Sequence, residues 1–187
     1  MPAILDIPEV RQRVSRLSVA EYHQLGEFND NGRRTELLRG IVIEKMSKSP
    51  LHRTLASILF RLLMGRVPDG YTVWKEEPLT LGDSEPEPDI SVTRGGERDF
   101  SKSHPTTAEL AIEVAVSSAA LDRENASLYA EAGITEYWIV LANERCVEVY
   151  RQPKGGSYQQ KQTVRAGEAI ECAGLPGVRI QLAELFK

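Results

Sequence analysis

A single carboxylate, Glu113, interrupts the otherwise apolar run ELAIEVAVS at residues 109–117. The run has the length of a strand, and its nearly continuous apolar character is that of a strand covered on both faces. A chain built around it needs a sheet with layers on either side. Desolvating a carboxylate in such a strand costs several kcal/mol unless a cation or hydrogen-bond donors meet it, so Glu113 requires a partner. A metal ion is one candidate, and an Arg or Lys in a structural salt bridge is the other.

The flanking segments supply the layers. Ser18-Val19-Ala20-Glu21 has the capping-box pattern and predicts a short helix through Leu25. TELLRGIVIEKM reads as a β-hairpin turning at Arg39-Gly40. From His52, the residues Leu55, Ile58, Leu59, Leu62 and Leu63 recur on one helix face, which packs on a sheet. YTVWKEEPLTL and the segment after EPEP read as strands, the second beginning near Asp89. After the Glu113 strand, LDRENASLYAEAG reads as a helix ending at Gly133, and EYWIVLA as another apolar strand. Strand, helix and strand in that order suggest a right-handed parallel crossover. CVEVYRQ and SYQQKQTV form a last hairpin about Pro153-Lys154-Gly155-Gly156. The pattern predicts an α/β chain, with 1–187 as one domain, a size that suits 187 residues.

Composition narrows the function classes. No apolar run reaches the roughly 20 residues that span a bilayer, and the N-terminus lacks the pattern of a signal peptide, so a cytoplasmic protein is expected. The two cysteines, Cys146 and Cys172, are far apart and lack CxxC spacing, as buried small hydrophobes do. The net charge is −4, yet residues 1–66 hold 11 Lys and Arg against 7 Asp and Glu. That first third could face phosphates, although scattered surface charge gives such imbalances too.

Asp89 follows Glu85-Pro86-Glu87-Pro88, whose prolines fix the backbone and present the carboxylate at the start of a strand. Read alone, it could be a turn residue. Together, Asp89 and Glu113 on neighbouring strands can share a hard cation such as Mg²⁺ or Mn²⁺, which takes oxygen ligands and activates water. No Ser-His-Asp order, glycine-rich phosphate loop or histidine metal spacing accompanies them. His52 reads as a helix-start residue that also suits a phosphate contact, and EYW at residues 136–138 reads as a core edge.

The ordered set LSVAEYHQL, ELLRGIVIEKMS, SPLH, EPEPDISV, ELAIEVAVSS and LYAEAGITEYWIV resembles the Uma-type restriction-endonuclease family of the PD-(D/E)xK superfamily over nearly the whole chain. The resemblance implies a restriction-endonuclease-like α/β (α+β) fold: a central mixed β-sheet flanked by helices, with an N-terminal helix and hairpin. It implies that Pro88-Asp89 is the PD element, that Glu113 is its acidic partner, and that Glu36 fills an N-terminal acidic position. It also implies an Mg²⁺- or Mn²⁺-dependent nuclease acting on DNA, as a homodimer presenting two sites; on the reading of the residues themselves, the basic residues near Lys45, Lys48 and Arg53 would steer the backbone. One member departs. Ala115 stands two residues after Glu113, and Asn125 stands on the following helix, four residues before the tyrosine, where Uma-type sequences carry lysine. Asn donates a hydrogen bond but supplies no positive charge. Arg123 on the same helix or Lys75 on a neighbouring strand could replace the charge from another direction, although a surface role is the more ordinary reading of both. The alternatives are a nuclease fold retained as a nucleic-acid-binding or protein-interaction module, and a small-molecule hydrolase using the same metal pair.

Overall fold

The computed structural model describes residues 7–26 and 33–187. Residues 1–6, part of the N-terminal stretch read above, lie outside them. In chain order the elements are α1 (Pro8–Arg11), α2 (Val19–Gly26), β1 (Thr35–Leu38), β2 (Ile41–Glu44), α3 (Pro50–Met64), β3 (Tyr71–Lys75), β4 (Ile90–Arg94) and β5 (Leu110–Ala115). There follow α4 (Ala119–Glu131), β6 (Glu136–Leu141), β7 (Cys146–Lys154), β8 (Ser157–Arg165), β9 (Ala169–Glu171), β10 (Arg179–Gln181) and α5 (Leu182–Leu185). Strands β3 to β8 form one six-stranded sheet in sequence order. Only β5 and β6 run parallel among its described strands, joined through α4 as the strand-helix-strand pattern requires. This is the mixed sheet with flanking helices.

Strand alternation divides the core into two layers. Leu110, Ile112 and Val114 of β5, with Trp138 and Val140 of β6, pack in one cluster with Leu55, Leu59 and Leu63 of α3 and with Leu182 and Leu185 of α5. Each of the three α3 leucines stabilises by about 1.5–3 kcal/mol relative to exposure. Ala111 and Ala115, with Tyr137, Ile139 and Leu141, pack in the other cluster with Ala126, Leu128 and Tyr129 of α4. Glu113 falls between the two alanines and so faces α4. The small side chains on either side of it leave space there.

The local predictions fold for the reasons given. The Ser18 amide donates to Glu21 Oε2 at 2.8 Å, and the Glu21 amide donates to Ser18 Oγ at 3.3 Å, closing the capping box of α2. The β1–β2 turn places Arg39 at φ +54 and Gly40 at φ +74, as a type I′ hairpin demands. A Cβ on Gly40 would lie 2.6 Å from Arg16 Cβ, so the glycine also admits the chain preceding α2. Leu37 and Glu85 exchange backbone hydrogen bonds, which ties the hairpin to the segment leading into Asp89. Trp138 and Tyr137 are fully buried, in keeping with the core reading of EYW. Both cysteines are buried and unbridged. Among the described residues no helix is long and apolar enough to cross a membrane.

Sequence reasoning did not foresee α1, the β9–β10 pair or α5, each only three or four residues long. A second miss is the ion cluster that pins α4 to the sheet edge. Arg123 on α4 grips Glu148 on β7 with two nitrogens, while Lys161 and the Tyr150 hydroxyl approach the same carboxylate at 3.0 and 2.8 Å. Burial raises the pKa of Glu148, but these three donors outweigh it and hold it down at about 2. A carboxyl lowered in the folded state stabilises fully above its ordinary value and loses that contribution as pH falls towards the lowered one. Glu148→Gln is therefore expected to melt below the native protein at pH 7, with the gap closing between about pH 4.5 and pH 2 in thermal scans. A gap independent of pH would contradict the ion-pair account.

Candidate active site

Asp89 immediately precedes β4, and the β4–β5 register pairs Ile90 with Ile112. One step further along that register sets Asp89 across from Glu113, on the α4 side of the sheet. The backbone locks the pair reciprocally. The Asp89 amide donates to Glu113 Oε2 at 3.4 Å, and the Val114 amide donates to Asp89 Oδ2 at 2.8 Å. The Tyr129 hydroxyl, from α4, donates to Glu113 Oε1 at 3.0 Å.

Asp89 and Glu113 line a cavity of about 310 Å³ together with Glu36 from β1 and Asn125 and Asp122 from α4. All four residues singled out in the sequence thus converge on one space. Glu36 accepts from the Glu87 amide at 3.4 Å. The Asn125 side chain is buried at the cavity wall and makes no hydrogen bond among the described residues. Asp122 was not singled out. It sits three residues before Asn125, hence on the same helix face, and that spacing is the signal that would have found it.

The cations of the cavity come from the segment between β2 and α3. Lys48 Nζ lies 2.7 Å from Asp89 Oδ1 and 3.2 Å from Glu76. Lys45 Nζ donates to the Glu87 carbonyl at 2.6 Å and lies 3.7 Å from Glu36. These two lysines, expected to steer a DNA backbone from the surface, instead point into the acidic cavity, because its carboxylates outcompete water for them. The two candidate substitutes for the motif lysine are elsewhere: Arg123 is held by Glu148, and Lys75 donates to Ser57 on α3. His52, on the first turn of α3, brings Nε2 to 2.9 Å from Asp89 Oδ2, while its buried Nδ1 has no hydrogen-bond partner among the described residues. It thus faces the carboxylate and not open solvent.

Electrostatics separates the acids. Burial opposes charge on Asp89, but the His52 ring and the Lys48 ammonium outweigh it and lower its pKa to about 2. Burial, reinforced by the charges of Asp89 and Asp122, raises Glu113 well above the ordinary carboxylate range. Asp122 is pushed up to about 6 by burial, against the hydrogen bond from Ser118, and by the charges of Asp89 and Glu36. Burial alone would lower Lys48, yet Asp89 and Glu76 reverse the effect and keep it above the usual lysine value. The cavity therefore holds more carboxylates than its cations neutralise, which is the condition of a site for a further cation.

Among the described residues no three His, Cys, Asp or Glu side chains are arranged as a metal cage. The donor set fits a more open site: two carboxylates fixed on neighbouring strands, all-oxygen ligands, and room for waters. Mg²⁺ is commonly bound in this way, through one or two carboxylates and substrate phosphate.

Comparison with curated proteins finds no match. Among solved structures, the chain shares its fold with a putative nuclease of the DUF820 family from Anabaena variabilis: TM-score 0.77, 19% identity, 91% of this chain and 97% of that one covered. The model of the family Uma2, described as putative restriction endonuclease, matches residues 19–183. That span takes in the hairpin, both central strands and α4, and so every residue of the cavity, and the chain belongs to the Uma2 family.

Proposed function

We propose that the protein is a divalent-metal-dependent nuclease that hydrolyses DNA phosphodiester bonds, with Asp89 and Glu113 as its metal ligands. The observation that carries this reading is the surplus of carboxylates in one cavity, two of them locked face to face across β4 and β5. A bound Mg²⁺ or Mn²⁺ would supply Lewis acidity for water and phosphate. The chain's own residues do the rest. The Val114 amide and His52 fix the Asp89 carboxylate, and Tyr129 fixes that of Glu113. Glu36 and Asp122 add negative charge, which strengthens the attraction for a cation. In the hydrolysis, a water oxygen bonds to phosphorus, the bond to the leaving oxygen breaks, and one proton of the water ends on that oxygen.

The substrate backbone has a path to the cavity. Arg53 and Arg61 project from the exposed face of α3 along an open groove that begins at Pro50, beside the cavity residues Ser49 and His52, and neither makes an ion pair among the described residues. Unpaired arginines on one face suit phosphate contacts. A homodimer would let two such sites address the two strands of a duplex. The reading places the protein in the cytoplasm with its DNA. Asn125 favours a second reading, a nuclease fold kept as a nucleic-acid-binding module.

Two experiments test this function. Purified native protein is expected to nick or linearise supercoiled plasmid with Mg²⁺ or Mn²⁺, and Asp89→Ala to abolish cleavage; silence of the native protein with both metals would move the account to the binding module. Burial and the neighbouring carboxylates raise the pKa of Glu113 and so make its charged form costly in the folded state; Glu113→Gln removes that charge, and at pH 8 without metal it is expected to melt at or above the native temperature. Millimolar Mn²⁺ should then raise the melting temperature of the native protein and not of the variant, since only a ligand that binds the folded state stabilises it. Equal metal-induced shifts in both proteins would remove Glu113 from the ligand set.

A further inference from the structure

We propose that Lys48, reaching in from the segment between β2 and α3, is the catalytic cation that faces the substrate phosphate in place of a lysine at the Asn125 position. The inference rests on the nuclease reading above and names a residue that neither the motif nor the family match assigns.

Four observations carry it. The position on α4 that would hold the charge is Asn125, whose amide reaches the cavity without a hydrogen-bond partner. The other cations near enough to substitute are committed elsewhere, Arg123 to Glu148 and Lys75 to Ser57, and neither lines the cavity. Lys45 does line it, but is anchored at the Glu87 carbonyl and beside Glu36, on the hairpin side. Among the described residues, Lys48 alone places an ammonium on a proposed metal ligand, 2.7 Å from Asp89 Oδ1.

Its backbone is also held. Ser49, the next residue, caps α3 by accepting from the His52 amide at 3.2 Å, and Pro50 fixes the first helical position. An ammonium has three donors. Two are engaged by Asp89 and Glu76, which leaves one to face a phosphate oxygen or a water entering the cavity. The charge reaches the same cavity from a different element, the segment between β2 and α3, so the motif is completed in space although it is broken in sequence.

The test compares plasmid cleavage in Mn²⁺ by the native protein, Lys48→Met, Lys48→Arg, Asn125→Lys and the double variant Lys48→Met/Asn125→Lys. Mn²⁺ affinity is measured separately from the electron paramagnetic resonance signal of the free ion. Lys48→Met is expected to lower kcat by about 10²–10³-fold, as loss of one group that stabilises transition-state charge does, with KM changed by less than about threefold and Mn²⁺ affinity not weakened. Lys48→Arg, which keeps the charge, should retain cleavage within about tenfold, and adding Asn125→Lys to Lys48→Met should restore at least about tenfold. A merely structural lysine would not be rescued by a charge placed on α4.

Cleavage by Lys48→Met equal to native, weakened Mn²⁺ binding in that variant, or no rescue by Asn125→Lys would each overturn the assignment. An inert native protein beside an active Asn125→Lys would overturn it too, and would show a nuclease fold that lacks only the charge, the second reading above. No cleavage by either of those two proteins would sink the nuclease reading itself.

Discussion

Two carboxylates held face to face across neighbouring strands govern this structure. Asp89 and Glu113 are fixed by each other's strands, through the Asp89 and Val114 amides, so neither can turn away from the other. Like charges in a poorly hydrated space repel, and the molecule answers by splitting the pair: Asp89 is held ionised by His52 and Lys48, and Glu113 is driven towards its neutral form. Asp122 and Glu36 deepen the imbalance. A structural salt bridge would have balanced charge with charge. The cavity instead keeps an excess that a divalent cation would relieve.

The geometry that makes this possible is ordinary strand alternation. The large apolar residues of β5 face α3, whereas Ala111 and Ala115 face α4 on either side of Glu113. Small neighbours keep the carboxylate from being smothered, and α4 brings Tyr129, Asn125 and Asp122 over it at helical spacing. The hairpin closes the third side because β1 is bridged to the segment before Asp89. Sheet, helix and hairpin thus meet at one point, although the residues that meet there are spread from Glu36 to Tyr129.

Legibility in the sequence followed the range of the interaction. The capping box of α2, the Arg39-Gly40 turn and the apolar face of α3 are local patterns, and the chain folds as they dictate. Asp89 and Glu113 could be picked out because each breaks a local rule, a carboxylate at a proline-fixed strand start and a carboxylate inside an apolar strand. Asp122 broke no rule, since an acid in the first turn of a helix is favourable there, and so it passed unnoticed. Lys45 and Lys48 were read as cations steering a DNA backbone because nothing local says that a lysine reaches into an acidic cavity. Their direction is set by Glu36, Glu76, Glu87 and Asp89, acids from about 9 to 42 positions away in the chain, and a cation follows the carboxylates it can reach. Arg123 passed for a spare charge until Glu148, on a strand two elements later, claimed it.

Crystals of the native protein soaked in Mn²⁺ and measured at the manganese absorption edge give the most direct test of the shared-cation claim. The account predicts an anomalous peak in the cavity between the Asp89 and Glu113 carboxylates, with direct bonds to both and the Lys48 ammonium moved off Asp89 Oδ1. No peak in the cavity at saturating metal, with Lys48 still seated on Asp89, would contradict it and leave the carboxylate pair as a structural feature of the fold.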